Sequence, residues 1–239
     1  MLREDEQDRR RRRSALRLPR PSRRRTEPQT STSSLSPAPE SMTSICAVLF
    51  DLDGVVRQFD EDYTTDIERR HGLEPGAVVD AAFEPELLDQ VTTGRISRRA
   101  WVARVGEALG SAAAAEEWGR QPSEVDAEVL AIADALRAAG IRTAILTNGT
   151  DTIPAEADEL GLTEHFDAIF NSAEIGWAKP DARAFQHVLD ALGVEASEVF
   201  FTDDSEGKLA GAEEVGMVTH HFESAEGLRE ALRAEGFAI

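Results

Sequence analysis

Cysteine is nearly absent: Cys46 is the one thiol among 239 residues. No intramolecular disulfide framework can form, and the chain fits a reducing compartment. Cys46 lies inside an apolar run, so a buried, inert thiol is expected there. No stretch approaches the roughly 20 apolar residues that a membrane span needs. A soluble, cytoplasmic protein without a membrane partner is therefore the expectation. Lysine is almost as scarce, with Lys179 and Lys208 the only two. A chain that otherwise uses arginine keeps lysine where a compact ammonium matters. Positive charge is scarce outside the amino-terminal segment. Residues 1–41 hold eleven arginines and six acids, whereas residues 42–239 hold 15 basic and 39 acidic side chains, a net charge of −24. So acidic a body argues against nucleic acid as its main partner. A monomer or a homodimer is the expected assembly.

Residues 1–41 join an arginine run, Arg9 to Arg13, to a Ser-, Thr- and Pro-rich stretch. Neither part can bury enough apolar area to offset chain entropy, so 1–41 reads as a disordered basic tail. A basic arm touching nucleic acid is the competing reading. The segment has no apolar signal-peptide core.

The body alternates. Ile45 to Phe50 is a continuous apolar run, as expected of a strand buried on both faces. Val125 to Ala139 has helical spacing and stops at Gly140, and Ile141 to Gly149 reads as a second buried strand. Ala155 to Leu160 reads as a helix and "FDAIFNS" as a third strand. "ARAFQHVLDALG" is a helix closed by glycine, "SEVFFTDD" a fourth strand, and "GKLAGAEEVGM" a helix leading to "VTHHF". Strand–helix alternation predicts an α/β fold with a doubly wound parallel sheet. Between residues 60 and 124 the pattern is helical throughout, in "DYTTDIERRHG", "PGAVVDAAF", "PELLDQV" and "SRRAWVARVGEALG". The expected organisation is a core of 42–59 and 125–239 with an inserted α-helical cap, 60–124, over the sheet's carboxyl edge. That edge is where open α/β sheets bind ligands.

Three strands end in polar residues: Asp51 and Asp53 in "LFDLDGVV", Thr147 and Asn148 in "ILTNG", Asp203 and Asp204 in "FFTDDSEG". Lys179 follows the third strand. In a parallel sheet all of these gather at one edge, and four carboxylates repel there unless a hard divalent cation neutralises them. Mg²⁺ prefers such oxygen ligands. Each motif alone has a plainer reading. An acidic pair at a strand end serves as a turn or helix cap, Thr147-Asn148-Gly149 as a tight turn, and Ser205 as the cap of the following helix. Lys208, one turn past the acid pair, is expected to be solvated.

"FDLDGVV", "ILTNG", "GWAKPDARAF" and "VFFTDDSEGKLAGAEEVGM" resemble, in order, the four motifs of the haloacid dehalogenase superfamily, in its α-helically capped, phosphatase-like subgroup. The resemblance implies a Rossmann-like core and a Mg²⁺-dependent phosphoric monoester hydrolase acting on a small phosphorylated metabolite. It implies Asp51 as nucleophile, forming an aspartyl-phosphate, and Asp53 as general acid and base. It implies Mg²⁺ ligation by Asp51, the backbone carbonyl of Asp53, Asp203 and Asp204. Thr147 and the Asn148 backbone would bind phosphoryl oxygens, and Lys179 would offset their charge. Two alternatives stand beside it. "GRISRRAW" resembles the Ser-Arg segment of phosphosugar mutases, although helix capping by Ser97 accounts for it equally. A phospho-accepting receiver domain also clusters aspartates, a threonine and a lysine, but orders them differently and has no helical cap. Tyr63, Arg95, Arg98 and Trp101 are candidates to face the cleft, with core packing the plainer role for the aromatics.

Overall fold

The computed structural model describes residues 44–239, so the tail expected at 1–41 lies outside the described residues. Strands and helices are numbered along the chain. Five parallel strands make the central sheet: β1 (Ala47–Phe50), β4 (Arg142–Thr147), β5 (Ala168–Asn171), β6 (Val199–Asp203) and β7 (Val218–His221), in the order β5-β4-β1-β6-β7. The other two, β2 (Arg57–Phe59) and β3 (Ser123–Val125), form a short antiparallel ribbon.

Alternation within β1 supplies both faces of the core. Val48 and Phe50 join Ile145 and Phe200 in one apolar cluster, while Ala47 and Leu49 join Leu146 and Phe201 in the other. The first cluster is closed by α6 (Ala127–Ala138), α7 (Ile153–Glu159) and α11 (Ala225–Ala234), the second by α9 (Ala182–Leu192) and α10 (Glu206–Val215). Each fully buried leucine or phenylalanine contributes roughly 1.5–3 kcal/mol, so the two clusters fix the sheet on which the site stands. Covered on both faces, the central strands need no polar side, which is why their sequences read as unbroken apolar runs.

Chain order explains where a crevice opens. From β1 the chain enters the helical insertion, returns to β4 beside β1, adds β5, and then crosses to β6 on the opposite side of β1. The connections leaving β1 and β6 diverge, and such a switch point leaves a gap at the carboxyl ends of the strands.

The insertion holds α1 (Glu61–His71), α2 (Ala77–Ala82), α3 (Pro85–Thr92), α4 (Arg98–Leu109) and α5 (Ala112–Trp118). They pack around Ala82, Val105 and Ala115, with Trp101 and Trp118 partly buried against them. Two features depart from the sequence expectation. Helix α5 comes from "AAAAEEW", where alanine supplies helix propensity without an apolar stripe; the Ser111 hydroxyl caps it by accepting from Ala114 N at 3.3 Å. The ribbon pairs Phe59 with Ser123 and Arg57 with Val125, so β3 lies across the boundary expected at 124/125. Helix α6 accordingly starts at Ala127 rather than Val125, capped by the Asp126 carboxylate. The short α8 (Ser172–Ile175) follows β5, and Gly94 of the insertion lies against it: a Cβ at that position would stand 2.1 Å from the Ala173 carbonyl oxygen.

Candidate active site

Asp51 is the first residue past β1, and its backbone N–H still bonds Thr202 O of β6 at 2.9 Å. Its carboxylate is buried. Lys179 Nζ lies 2.7 Å from Asp51 Oδ1 and 2.7 Å from Asp203 Oδ2. Lys208 Nζ lies 3.0 Å from Asp51 Oδ2, 3.6 Å from Asp203 Oδ1 and 3.7 Å from Asp204 Oδ1. Lys208 is therefore not the solvated surface residue expected of it. Four residues after Asp204, one helical turn of α10 carries its ammonium back over the acid pair.

Electrostatics follow from that placement. Burial pushes the Asp51 carboxyl up, but the charges of Lys179 and Lys208 outweigh it and hold the group below its ordinary value. Asp203 moves the other way, raised by burial and by the neighbouring Asp51 charge against the pull of Lys179. Burial also opposes the charge on Lys208, yet Asp51 and Asp203 raise its proton affinity above that of a free lysine. Two ammonium groups balance the carboxylates only in part.

Loop geometry holds these groups. The Asn148 side chain donates to Lys179 O at 2.8 Å and accepts from Lys179 N at 2.7 Å. That two-point clamp ties the lysine loop to the end of β4. Thr147, buried at the last position of β4, pairs in register with Asn171. Ser205 begins α10 without a side-chain capping bond; its N–H instead donates to Asp203 Oδ1 at 2.9 Å. Gly54 has φ +90, and a Cβ there would stand 2.1 Å from Asp204 Oδ2. Only glycine lets the turn after β1 approach the acid pair this closely. Outside the site, Cys46 is half-buried rather than fully buried, with an Arg142 guanidinium nitrogen 3.8 Å from its Sγ.

Asp53 stands apart from the carboxylate cluster. Its side chain accepts from Arg57 Nε at 2.6 Å, and Arg57 in turn reaches Glu156 Oε2 at 2.7 Å. Burial raises the Asp53 carboxyl above its ordinary value against the opposing pull of Arg57. Its tip remains open to the cleft, with the side chain 40% exposed, so water tempers the shift. Sequence reading missed Arg57 and Glu156. The signal available for Arg57 was its place four residues after Asp53; Glu156 carried none.

A cleft of about 520 Å³ opens between insertion and sheet, lined at its floor by Asp53, Asn148 and Gly149 and along its wall by Trp101 and Trp118. Of the four insertion residues considered for it, Trp101 and Arg98 line it. Tyr63 is turned aside, donating to Glu117 O at 3.3 Å, and Arg95 pairs with Asp89 at the surface. Trp101 also packs in the insertion's own core, so both roles weighed for it hold. The Ser97 hydroxyl accepts from Ala100 N at 3.2 Å, so helix capping accounts for that residue.

Asp51, Asp203 and Asp204 each offer a carboxylate oxygen within 4.8 Å of the others. Hard oxygen donors so grouped and so incompletely balanced fit a Mg²⁺ ion. No described helix is long and apolar enough to cross a membrane.

Comparison with known proteins agrees with this geometry. The family model "haloacid dehalogenase-like hydrolase" matches residues 45–216. Bifunctional epoxide hydrolase 2 of Rattus norvegicus is 33% identical over 118 residues, which is 47% of this chain and 21% of that protein. The chain thus spans about a fifth of that relative. Phosphatase MT3486 of Mycobacterium tuberculosis is 32% identical over 201 residues, covering 73% of this chain and 85% of that protein. Among solved structures, a HAD family enzyme of Bacteroides thetaiotaomicron in complex with magnesium and inorganic phosphate superposes with a TM-score of 0.63 at 21% identity, covering 75% of this chain and 95% of that one. With its parallel sheet, its inserted helices and its acids at the strand ends, the chain belongs to the haloacid dehalogenase-like hydrolases.

Proposed function

We propose that this hydrolase is a Mg²⁺-dependent phosphatase that cleaves a small phosphorylated metabolite through an aspartyl-phosphate on Asp51. One observation carries the reading: two carboxyls two residues apart have opposite environments. Asp51 is buried between two ammonium groups and held ionised, as a nucleophile requires, whereas Asp53 faces the cleft with raised proton affinity, as a general acid requires. The phosphatase relative and the magnesium- and phosphate-bound neighbour support it. A displaced halide would need no proton, so an acid at position 53 favours phosphate chemistry.

In the first step an Asp51 oxygen bonds to phosphorus as the ester P–O bond breaks, and Asp53 gives its proton to the leaving oxygen. In the second, ionised Asp53 takes a proton from water, the water oxygen bonds to phosphorus, and the Asp51–phosphorus bond breaks to release phosphate. Lys179 offsets charge on the transferring group, and Thr147 with the Asn148 backbone hydrogen-bonds its oxygens. Asp51, Asp203, Asp204 and the Asp53 carbonyl would hold Mg²⁺, which when bound supplies further neutralisation of the phosphoryl charge.

Turnover of an aryl phosphate should vanish with chelator and return with Mg²⁺. Asp51→Asn should abolish both turnover and phospho-enzyme. Asp53→Ala should still be phosphorylated by a good leaving group, yet lose on the order of 10²–10⁴-fold in hydrolysis of the intermediate. Intact-protein mass spectrometry after acid quench should then show the added phosphoryl mass on Asp53→Ala alone. Full activity in excess chelator, or a phosphorylated Asp51→Asn protein, overturns the assignment.

A further inference from the structure

We infer that the cleft selects phosphomonoesters of apolar alcohols, with an alkyl or aryl chain lying along the helical insertion, over phosphates of sugars and other polyhydroxylated compounds. The inference rests on the phosphatase reading and names the substrate class for that site.

Exposure points there first. Four large apolar side chains among the described residues stay substantially exposed: Phe59 at 39%, Val79 at 47%, Phe83 at 51% and Trp177 at 39%. The first three all line the cleft that reaches Asp53. Trp177 lies outside it, its ring covered by the Arg183 guanidinium at 3.4 Å. Apolar side chains left open and gathered at a reactive carboxyl mark a ligand surface rather than scattered exposure.

The wall is also built in advance. Phe83, Trp101 and Trp118 meet edge to face, with ring centroids 6.5, 6.5 and 5.0 Å apart. Such mutual contacts hold the rings without any ligand. Leu88 continues the same surface.

The three arginines of the cleft and two of its other polar groups are already engaged. Arg57 faces Asp53 and Glu156, Arg98 faces Glu156 at 3.6 Å, and Arg120 faces Glu116 at 3.3 Å. The Thr92 hydroxyl donates to Leu88 O, and the Gln121 amide donates to Asp60 O at 2.9 Å. A sugar placed here would give up water for a wall of rings and for donors already spent, and each unmatched hydroxyl costs about 1–3 kcal/mol. A second phosphate would find these three arginines already paired. A hydrocarbon chain meets neither penalty and gains from burial.

The test is a series of n-alkyl monophosphates from methyl to octyl, run beside glucose 6-phosphate and ribose 5-phosphate. Wild-type kcat/KM should rise about threefold to fourfold per methylene until the cleft is filled. Octyl phosphate should exceed both sugar phosphates. Val79→Ser and Phe83→Ser, both at exposed positions, should each flatten the ratio of octyl to methyl phosphate, with circular dichroism confirming that each variant is folded. A series flat with chain length, or sugar phosphates that outrun octyl phosphate, overturns the inference while phosphatase activity stands. Should no ester turn over, the phosphatase reading falls instead. The cleft is then decided by calorimetry of n-alkyl phosphonates on Asp51→Asn: affinity that climbs with chain length supports the apolar class, and affinity that does not overturns it.

Discussion

Lys208 and Lys179 are chemically identical and do different work. Lys179 is fully buried and locked by the Asn148 clamp, so its charge is a fixed part of the floor. Lys208 is 29% exposed and reaches Asp51, Asp203 and Asp204 from the first turn of α10. Its ammonium sits among the three carboxylates suited to a metal ion, where it relieves their repulsion. Lys208→Met should therefore destabilise metal-free protein by roughly 1–3 kcal/mol, for a charge removed from a mostly buried cluster, and so lower its melting temperature. The same variant should show a larger rise in melting temperature when Mg²⁺ is added, since the ion then does alone what two cations shared. Equal metal-free stability and equal Mg²⁺ response in variant and wild type would make Lys208 an ordinary surface lysine. The acids, Thr147 and Lys179 were legible because strand ends in a parallel sheet fall at one edge by topology. Lys208 and Arg57 were not, because each reaches the site by a short local return of the chain. Scarcity of lysine, read evenly, pointed to both lysines.

Helix α7 joins core and insertion. Glu156 on it accepts from Arg57 at 2.7 Å and from the Thr152 hydroxyl at 2.6 Å, and faces Arg98 of α4 at 3.6 Å. The start of α4 also rests on this segment, with Arg98 N donating to Asp151 Oδ1 at 2.6 Å. Burial raises the Glu156 carboxyl, but the bonds from Thr152 and Arg57 outweigh it and hold the group below its ordinary 4.5. A carboxyl lowered in the folded state contributes stability that is complete above its unfolded value and is lost as pH falls through its folded value. Glu156→Gln should thus cost roughly 1–2 kcal/mol at neutral pH. Its deficit should shrink below about pH 4.5, as wild type loses the same contribution. Urea midpoints at neutral and acid pH check it, and a deficit that stays constant with pH would sever Glu156's charge from the link. Tertiary partners of this kind leave no periodic mark in sequence. The long amphipathic elements were readable, whereas α5 and the three-residue strands of the ribbon were not, because alanine runs and one-residue burial patterns carry no period.

On the scale of the whole molecule, charge is the dominant unbalanced quantity. The acids of residues 42–239 exceed the bases by 24, and like charge at that density repels across the folded surface more than across an expanded chain. The core itself closes within the described residues: β1 is paired on both edges, and both faces of the sheet are covered. A chain beginning at Met42 should therefore fold and turn over as the full chain does. Raising NaCl from about 0.01 M to about 0.1 M shortens the screening length from about 30 Å to about 10 Å. The melting temperature of the Met42 chain should rise by several degrees over that range. The full chain carries a net +5 on residues 1–41, a tethered countercharge, so its rise should be smaller. Thermal melts of both chains, metal-free and across the salt series, make the comparison. A melting temperature that falls with salt would mean that attractive ion pairs, not self-repulsion, dominate the surface. Identical salt slopes for the two chains would mean that the arginine-rich segment does not reach the body's field.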